Sequence, residues 1–232
     1  MRFKADLQIH TVCSDGKSTG EDVVRHALIK GVRIVAPTDH NTFKGYKIVR
    51  EAVEKINASM IVIAGNEVRT DLGELIILCE NPLPDEIVPR RAVELIDFAH
   101  ERNCIVYAPH PYDPLRLGVK DMIRKLEIDA IEIFNASAPP WSNKKAYKTA
   151  KEMGRTMLAN SDAHVPDFIG SAYNIIEIEN LRAEDVLEEI RKNRVIPVPG
   201  RPSLVAYIKD ALHSIALRMN KNYPRELCSR SR

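Results

Sequence analysis

Long apolar runs are missing from this chain of 232 residues. None approaches the roughly 20 residues that cross a bilayer, and the start MRFKAD lacks the apolar core of a secretory signal. The expectation is a cytoplasmic protein without a membrane partner. Cysteine is scarce: Cys13, Cys79, Cys104 and Cys228 are scattered, with no CxxC pair. That pattern excludes a thiolate zinc site and reads as structural thiols in a reducing compartment, not as a disulfide framework. A large charge of either sign is also lacking, the formal net value being +2. Composition alone therefore gives no reason to expect a nucleic-acid surface. The stretch from Arg218 to Arg232 is locally basic, but no aromatics interleave with it to stack on bases, so it reads as a solvated helix tail. Gly/Ser-rich linkers, internal repeats and low-complexity segments are absent too.

What the chain does have is 44% apolar and 28% charged residues, enough for a sizeable core. Short β-branched runs alternate with longer segments of helical spacing. Strands are expected at Phe3–Ile9, Val32–Pro37, Met60–Ala64, Glu74–Cys79, Cys104–Ala108, Ala130–Phe134, Met157–Asn160, Asn174–Glu179 and Val195–Val198. Helices are expected at Ser18–Lys30, Tyr46–Asn57, Ala92–Arg102, Val119–Leu126, Ser142–Met153, Ala183–Lys192 and Ser203–Met219. Such alternation predicts an α/β fold of parallel strands with crossover helices, closed or nearly closed into one barrel.

Polar residues suited to metals collect at the ends of these strands. His10 follows the first, Asp39 and His40 the second, and Glu67 the segment MIVIAGN. His110 follows CIVYAP, and Asp162 and His164 follow MLANS. In a parallel barrel all of these positions share one rim, where active sites are built. A single such histidine would ordinarily be a satisfied loop residue, but four of the seven share this placement. His26, His100 and His213 fall on predicted helices and need no function. Imidazoles and carboxylates without thiolates suit Zn, Mn or Fe, and their number exceeds the needs of one tetrahedral ion.

In order, DLQIHTVCSDG, PTDHN, GNEV, APHP and NSDAH resemble the motifs of the PHP (polymerase and histidinol phosphatase) family. The resemblance spans roughly Arg2 to Pro202. It implies a distorted seven-stranded (β/α) barrel of TIM-like type over residues 1–202, with 203–232 a C-terminal helix and basic tail packed on or extending from it. It also implies two or three divalent ions (Zn, Mn, Fe or Mg). Matched motif by motif, His10, Glu67 and Asp162 would hold one ion, with Gln8 at the place of the family's first histidine. Glu67 and His110 would contribute to a second ion, and Asp15, His40 and His164 would hold a third. Asp39 would orient a ligand from behind.

Two positions depart from the pattern. Gln8 offers a neutral carboxamide oxygen, adequate for Mg²⁺ or Mn²⁺ but weak for Zn²⁺. Glu74 stands where many small phosphatases of the family have another histidine, and is either an anionic ligand or a solvated strand-start residue. Arg69 is the best phosphate-binding cation, a surface salt bridge being its competing role. Arg201 and Asn135 are further candidates for contacting substrate.

The function this implies is metal-dependent hydrolysis of a phosphate ester by a metal-bridged hydroxide, with His10, Asp15, His40, Glu67, His110, Asp162 and His164 as the catalytic set. A small phosphorylated metabolite, a nucleotide or an oligonucleotide end would fit; nucleic acid enters only as a substrate end. Two alternatives stand beside it: a non-catalytic scaffold of the same fold that binds RNA or protein, and an amidohydrolase-type C–N hydrolase.

Overall fold

The computed structural model describes residues 1–219 and Cys228. The chain order is β1 (Arg2–Ile9), α1 (Gly20–Ile29), β2 (Val32–Pro37), α2 (Lys44–Ile56), β3 (Ile61–Val62), β4 (Ala64–Thr70) and β5 (Gly73–Cys79). Then come α3 (Ala92–His100), β6 (Ile105–Ala108), β7 (Ala130–Asn135), α4 (Pro140–Met153), β8 (Thr156–Asn160), β9 (Tyr173–Glu177), α5 (Ala183–Arg191), β10 (Val195–Val198) and α6 (Leu204–Met219). Local chemistry accounts for many boundaries. Thr19 and Asp22 form a reciprocal capping box at the start of α1. Asn57 and Gly154 end α2 and α4 in the left-handed conformation. The expected helix Val119–Leu126 is instead a 3-10 segment, Lys120–Lys125.

The α/β class is as expected. The strands form two mixed five-stranded sheets, in the orders β10-β9-β1-β2-β3 and β4-β5-β6-β7-β8. The β1-β2-β3 and β6-β7-β8 runs are parallel, whereas β4-β5, β5-β6, β1-β9 and β9-β10 are antiparallel. At β4–β5 the uniformly parallel pattern fails because the connection is too short. Only Asp71 and Leu72 separate β4 from β5, and a parallel crossover takes a dozen residues or more. Strand β4 was also not foreseen as a strand in its own right: Glu67 sits inside it, opposite Ile76 of β5, and not in a loop after a strand.

The sheets share a core. Leu7 and Ile34 from one, and Ile76, Leu78, Tyr107 and Leu158 from the other, belong to a single buried cluster. The Tyr107 hydroxyl donates to the Leu7 carbonyl at 2.9 Å, tying the sheets across that core. Outside it, α1 and α2 cover β1 and β2, while α3 and α4 cover the second sheet. Bridges link Ile9 to Ala163 and His40 to Glu67, so the sheets also meet along their margins.

The cysteines are paired, contrary to the free thiols expected. Cys79 and Cys104 join the end of β5 to the entry of β6, with Cα atoms 4.4 Å apart. Cys13 pairs with Cys228 across 215 residues of sequence. Scattered spacing conceals such pairs, because antiparallel neighbours and a returning chain end create proximity that sequence distance does not show. The thiol argument for a reducing compartment therefore lapses. Among the described residues no helix is long and apolar enough to cross a membrane. Helix α6 packs on the rest through Ala206 and through a T-shaped contact between Tyr207 and Phe168. Apart from Cys228, the basic tail after Met219 lies outside the described residues.

Candidate metal centre

Six strands and the turns that follow them deliver the polar cluster. Strand β1 carries Gln8, His10 follows its last residue, and the loop beyond carries Asp15. That loop turns tightly because Gly16 lies against His10: a Cβ there would fall 2.1 Å from the His10 carbonyl oxygen. The turn after β2 supplies Asp39 and His40, β4 and β5 supply Glu67 and Glu74, and the ends of β6 and β8 supply His110, Asp162 and His164. His110 and Asp162 have positive φ, 28° and 52°. Such strain in non-glycine residues persists where surrounding contacts fix the backbone, and is common at functional sites.

The expected residues converge. Nε2 of His10 stands 3.0 Å from Glu67 Oε2 and 3.2 Å from Asp162 Oδ1. Its Nδ1 is 3.3 Å from Asp15 Oδ1. His40 Nε2 lies 3.3 Å from Asp15 Oδ2, and His164 Nε2 lies 3.5 Å from Asp15 Oδ1. His110 Nε2 donates to Glu67 Oε1 at 3.0 Å. Glu74 is buried and turns inward, with Oε1 3.6 Å from His40 Nδ1. The His10 ring stacks on that of His164 at 4.2 Å between centroids.

The donor set fits divalent ions on a test independent of the motifs. Gln8 Oε1, both ring nitrogens of His10, His40 Nδ1, Glu67 Oε2 and His110 Nδ1 are buried without an aligned hydrogen-bond partner among the described residues. Buried polar atoms are normally satisfied, and leaving one bare costs about 1–3 kcal/mol. Of these, His10 Nε2 and His40 Nδ1 face Glu67 Oε2, at 3.0 and 3.6 Å. His10, Asp15, His40 and His164 can present ligand atoms within 4.8 Å of one another, and so can His40, Glu67 and Glu74.

Electrostatics keep the carboxylates in their ligand form. Burial opposes charge on Asp15, but the charge of His164 and the close imidazoles of His10, His164 and His40 hold its carboxyl well below the usual range. Burial also works against ionised Glu67, where His40, His10 and His110 outweigh it and lower the carboxyl. For Asp162 burial is overcome first by Arg116 and then by His10 and His164. His10 is raised: burial pulls it down, and the carboxylates of Asp15, Asp162 and Glu67 against its ring more than compensate.

Residues behind the cluster hold it in place. Asp39 accepts from Thr11 N at 2.9 Å, Thr11 Oγ1 at 2.7 Å and Ser14 Oγ at 2.6 Å, fixing the loop that carries Asp15. Asn135 is fully buried and donates from Nδ2 to Glu132 and Asp162, at 3.0 Å each. It braces Asp162 and does not line the cavity. Arg201 is exposed and does not line it either. Arg69 does line it, and its Nε donates to Glu74 Oε1 at 3.0 Å.

Several participants escaped the sequence reading. Arg116, in the segment after β6, lines the cavity and forms an ion pair with Asp162. Glu132, on β7, accepts from the His110 backbone N–H at 2.6 Å and from Asn160 Nδ2 at 2.9 Å; burial lifts its carboxyl to about 7. A charged residue inside the apolar strand AIEIF was the available signal. His213 of α6 is buried, and its Nε2 donates to the Asp15 carbonyl at 2.7 Å. It therefore has a part in the site, contrary to the reading that set it aside. Tyr207 and Asp210 of the same helix line the cavity, whose volume is about 440 Å³.

Comparison with known proteins bears on the fold and the family. A family model described as PHP-associated matches residues 140–195. An uncharacterised protein of Methanocaldococcus jannaschii is 32% identical over 146 residues, which cover 58% of this chain and 82% of that protein. A phosphoribosyl 1,2-cyclic phosphate 1,2-diphosphodiesterase of Eggerthella lenta is 38% identical over 63 residues, 27% of this chain and 23% of that enzyme. Among solved structures, a two-domain protein of Bacteroides vulgatus containing a predicted PHP-like metal-dependent phosphoesterase shares the fold at a TM-score of 0.66 and 17% identity. That match covers 86% of this chain and 65% of the other. With five motifs in family order and their side chains gathered at one centre, the chain belongs to the PHP family.

Proposed function

We propose that this protein hydrolyses a phosphate ester of a small molecule, nucleotide or oligonucleotide end in a metal-dependent reaction. The observation that carries the reading is the set of unsatisfied imidazole and carboxylate atoms of His10, His40 and Glu67 facing one another beside a cavity lined by Arg69 and Arg116. His10, Asp15, His40, Glu67, His110, Asp162 and His164, with Gln8 and Glu74, are the residues that would hold two or three ions. Divalent ions at such a centre lower the pKa of bound water and offset phosphoryl charge. The chain's own residues do the rest. Arg69 and Arg116 offer guanidinium forks to phosphate oxygens, and the cavity volume suits a small ligand. Glu132, Asn135 and Asp39 keep the ligating side chains in register. The similarity to a cyclic-phosphate diphosphodiesterase adds support for phosphorus chemistry. The two sheets, meeting at both margins, are read as the distorted barrel that the family resemblance implies.

The test is phosphate release from nucleotides, sugar phosphates and an aryl phosphate with Mn²⁺, Zn²⁺ or Mg²⁺, together with metal content after chelator-free purification. Release that a chelator abolishes and added ions restore is the expected result. No release from any of them, alongside less than one bound ion per chain, would overturn the reading.

A further inference from the structure

Helix α6 is oriented unusually for an outer helix. Its polar side faces the protein: His213 donates to Asp15, Lys209 pairs with Asp167 at 2.7 Å, and Asp210 lines the cavity. Its apolar side faces out. Leu204, Val205, Ile208, Leu212, Ile215 and Met219 are between 52% and 85% exposed. At about 100° per residue these six fall within one arc of roughly 100°, the width of a core-facing stripe. No charge interrupts the stripe; Lys209 and Arg218 flank it.

The size and spacing of this stripe point to its occupant. Six side chains of this size, so exposed, offer on the order of 700 Å². That exceeds the ~300–600 Å² patch ordinary for a monomer and approaches the ~800 Å² per partner of a standard interface. The stripe is also nearly symmetric about the Ala211–Leu212 bond: Ile208 and Ile215 are equidistant from it, as are Leu204 and Met219. About a two-fold axis at that point these four apolar positions meet apolar positions, as a self-complementary isologous contact needs, while Val205 falls opposite Arg218.

We infer that the protein forms a two-fold dimer through antiparallel packing of α6 on α6 of a second copy. Ile208 meets Ile215 of the second copy, Leu204 meets its Met219, and the two Leu212 side chains flank the axis. The contact clamps the helix that carries His213, Tyr207 and Asp210 against the candidate centre, so assembly and site share one element.

Sedimentation equilibrium of the full chain at micromolar concentration should give twice the chain mass. Ile208→Glu combined with Ile215→Glu should raise the dissociation constant about 100-fold or more while leaving the circular dichroism spectrum unchanged. Geometry has its own test. Under mild oxidation Leu212→Cys should cross-link to itself across the axis, and Leu204→Cys, some 20 Å from its own copy in a helix rising 1.5 Å per residue, should not. A monomeric wild type, a dimer indifferent to the double glutamate variant, or equal cross-linking at both positions would overturn the inference. So would co-sedimentation of a monomer with lipid vesicles, since that would assign the stripe to a membrane surface.

Discussion

Gln8 donates from Nε2 to Asp162 Oδ1 at 3.3 Å while its own Oε1 is buried without a partner. The carboxamide is thus fixed by one atom, and its acceptor is left bare. A glutamine whose carbonyl has no protein partner is consistent with a ligand position retuned toward harder ions, since the amide oxygen is neutral and hard. Gln8→His should raise Zn²⁺ affinity by about 10- to 100-fold, the range by which single changes around metal sites act. Competition with a chromophoric chelator measures this. Unchanged Zn²⁺ affinity would remove position 8 from the centre.

His40 and His164 approach Asp15 from different segments, at 3.3 and 3.5 Å. Both are partly exposed toward the cavity, so neither contributes much to the core. His40→Ala and His164→Ala should each reduce hydrolysis at least about 100-fold. Thermal midpoints of the metal-free proteins should stay near wild type. A variant that kept near wild-type turnover would show that the ions do not depend on the Asp15 group.

The gathering of His10, His40, His110 and Asp162 was legible because each follows a strand whose pattern is itself clear, as in DLQIH and MLANSDAH. What could not be read was geometry created by antiparallel pairing. Glu67 is where expected in sequence, but it sits mid-strand because β5 folds back on β4 after a two-residue turn. The same fold-back beside β6 brings Cys79 to Cys104. Arg116 and His213 were missed for another reason: one lies in an irregular segment and the other on a helix remote in sequence, and only tertiary packing brings them to Asp162 and Asp15. Asn135 shows the converse, since a polar residue ending a strand at the rim can serve as a brace beneath the site.

Arg69 is half-exposed and pairs with buried Glu74. Its remaining guanidinium donors are available to the cavity. If it binds phosphate there, Arg69→Ala should raise KM for a phosphate ester by roughly 10- to 100-fold, the equivalent of one charge-assisted hydrogen bond of about 1.5–3 kcal/mol. Arg69→Lys should recover only part of this, because an ammonium cannot make the forked contact. Steady-state kinetics separates this from the alternative. An unchanged KM with lowered metal content would mean that Arg69 acts only by holding Glu74.

Asp6 lies beneath the centre on β1, fully buried, and accepts from Ser161 Oγ at 2.5 Å, Ser161 N at 3.2 Å and Gly170 N at 2.8 Å. Burial nevertheless dominates and lifts its carboxyl to about 6, against the hydrogen bonds that favour the charge. In the unfolded chain the group titrates near 3.9. Below that pH it is protonated in both states and carries no ionisation penalty. As pH rises through 6 the native carboxyl must ionise in a dry environment, so its contribution to stability is lost between about pH 4 and 7. Asp6→Asn removes the titration but weakens the hydrogen bonds at every pH. The variant should therefore be less stable than wild type at pH 4, and the gap should narrow by about 3 kcal/mol by pH 7, from the shift of roughly two pK units. Urea unfolding of both proteins without metal, across that range, measures the difference directly. A gap that stays constant or widens with pH would show that Asp6 is ionised throughout, held so by Ser161 and Gly170.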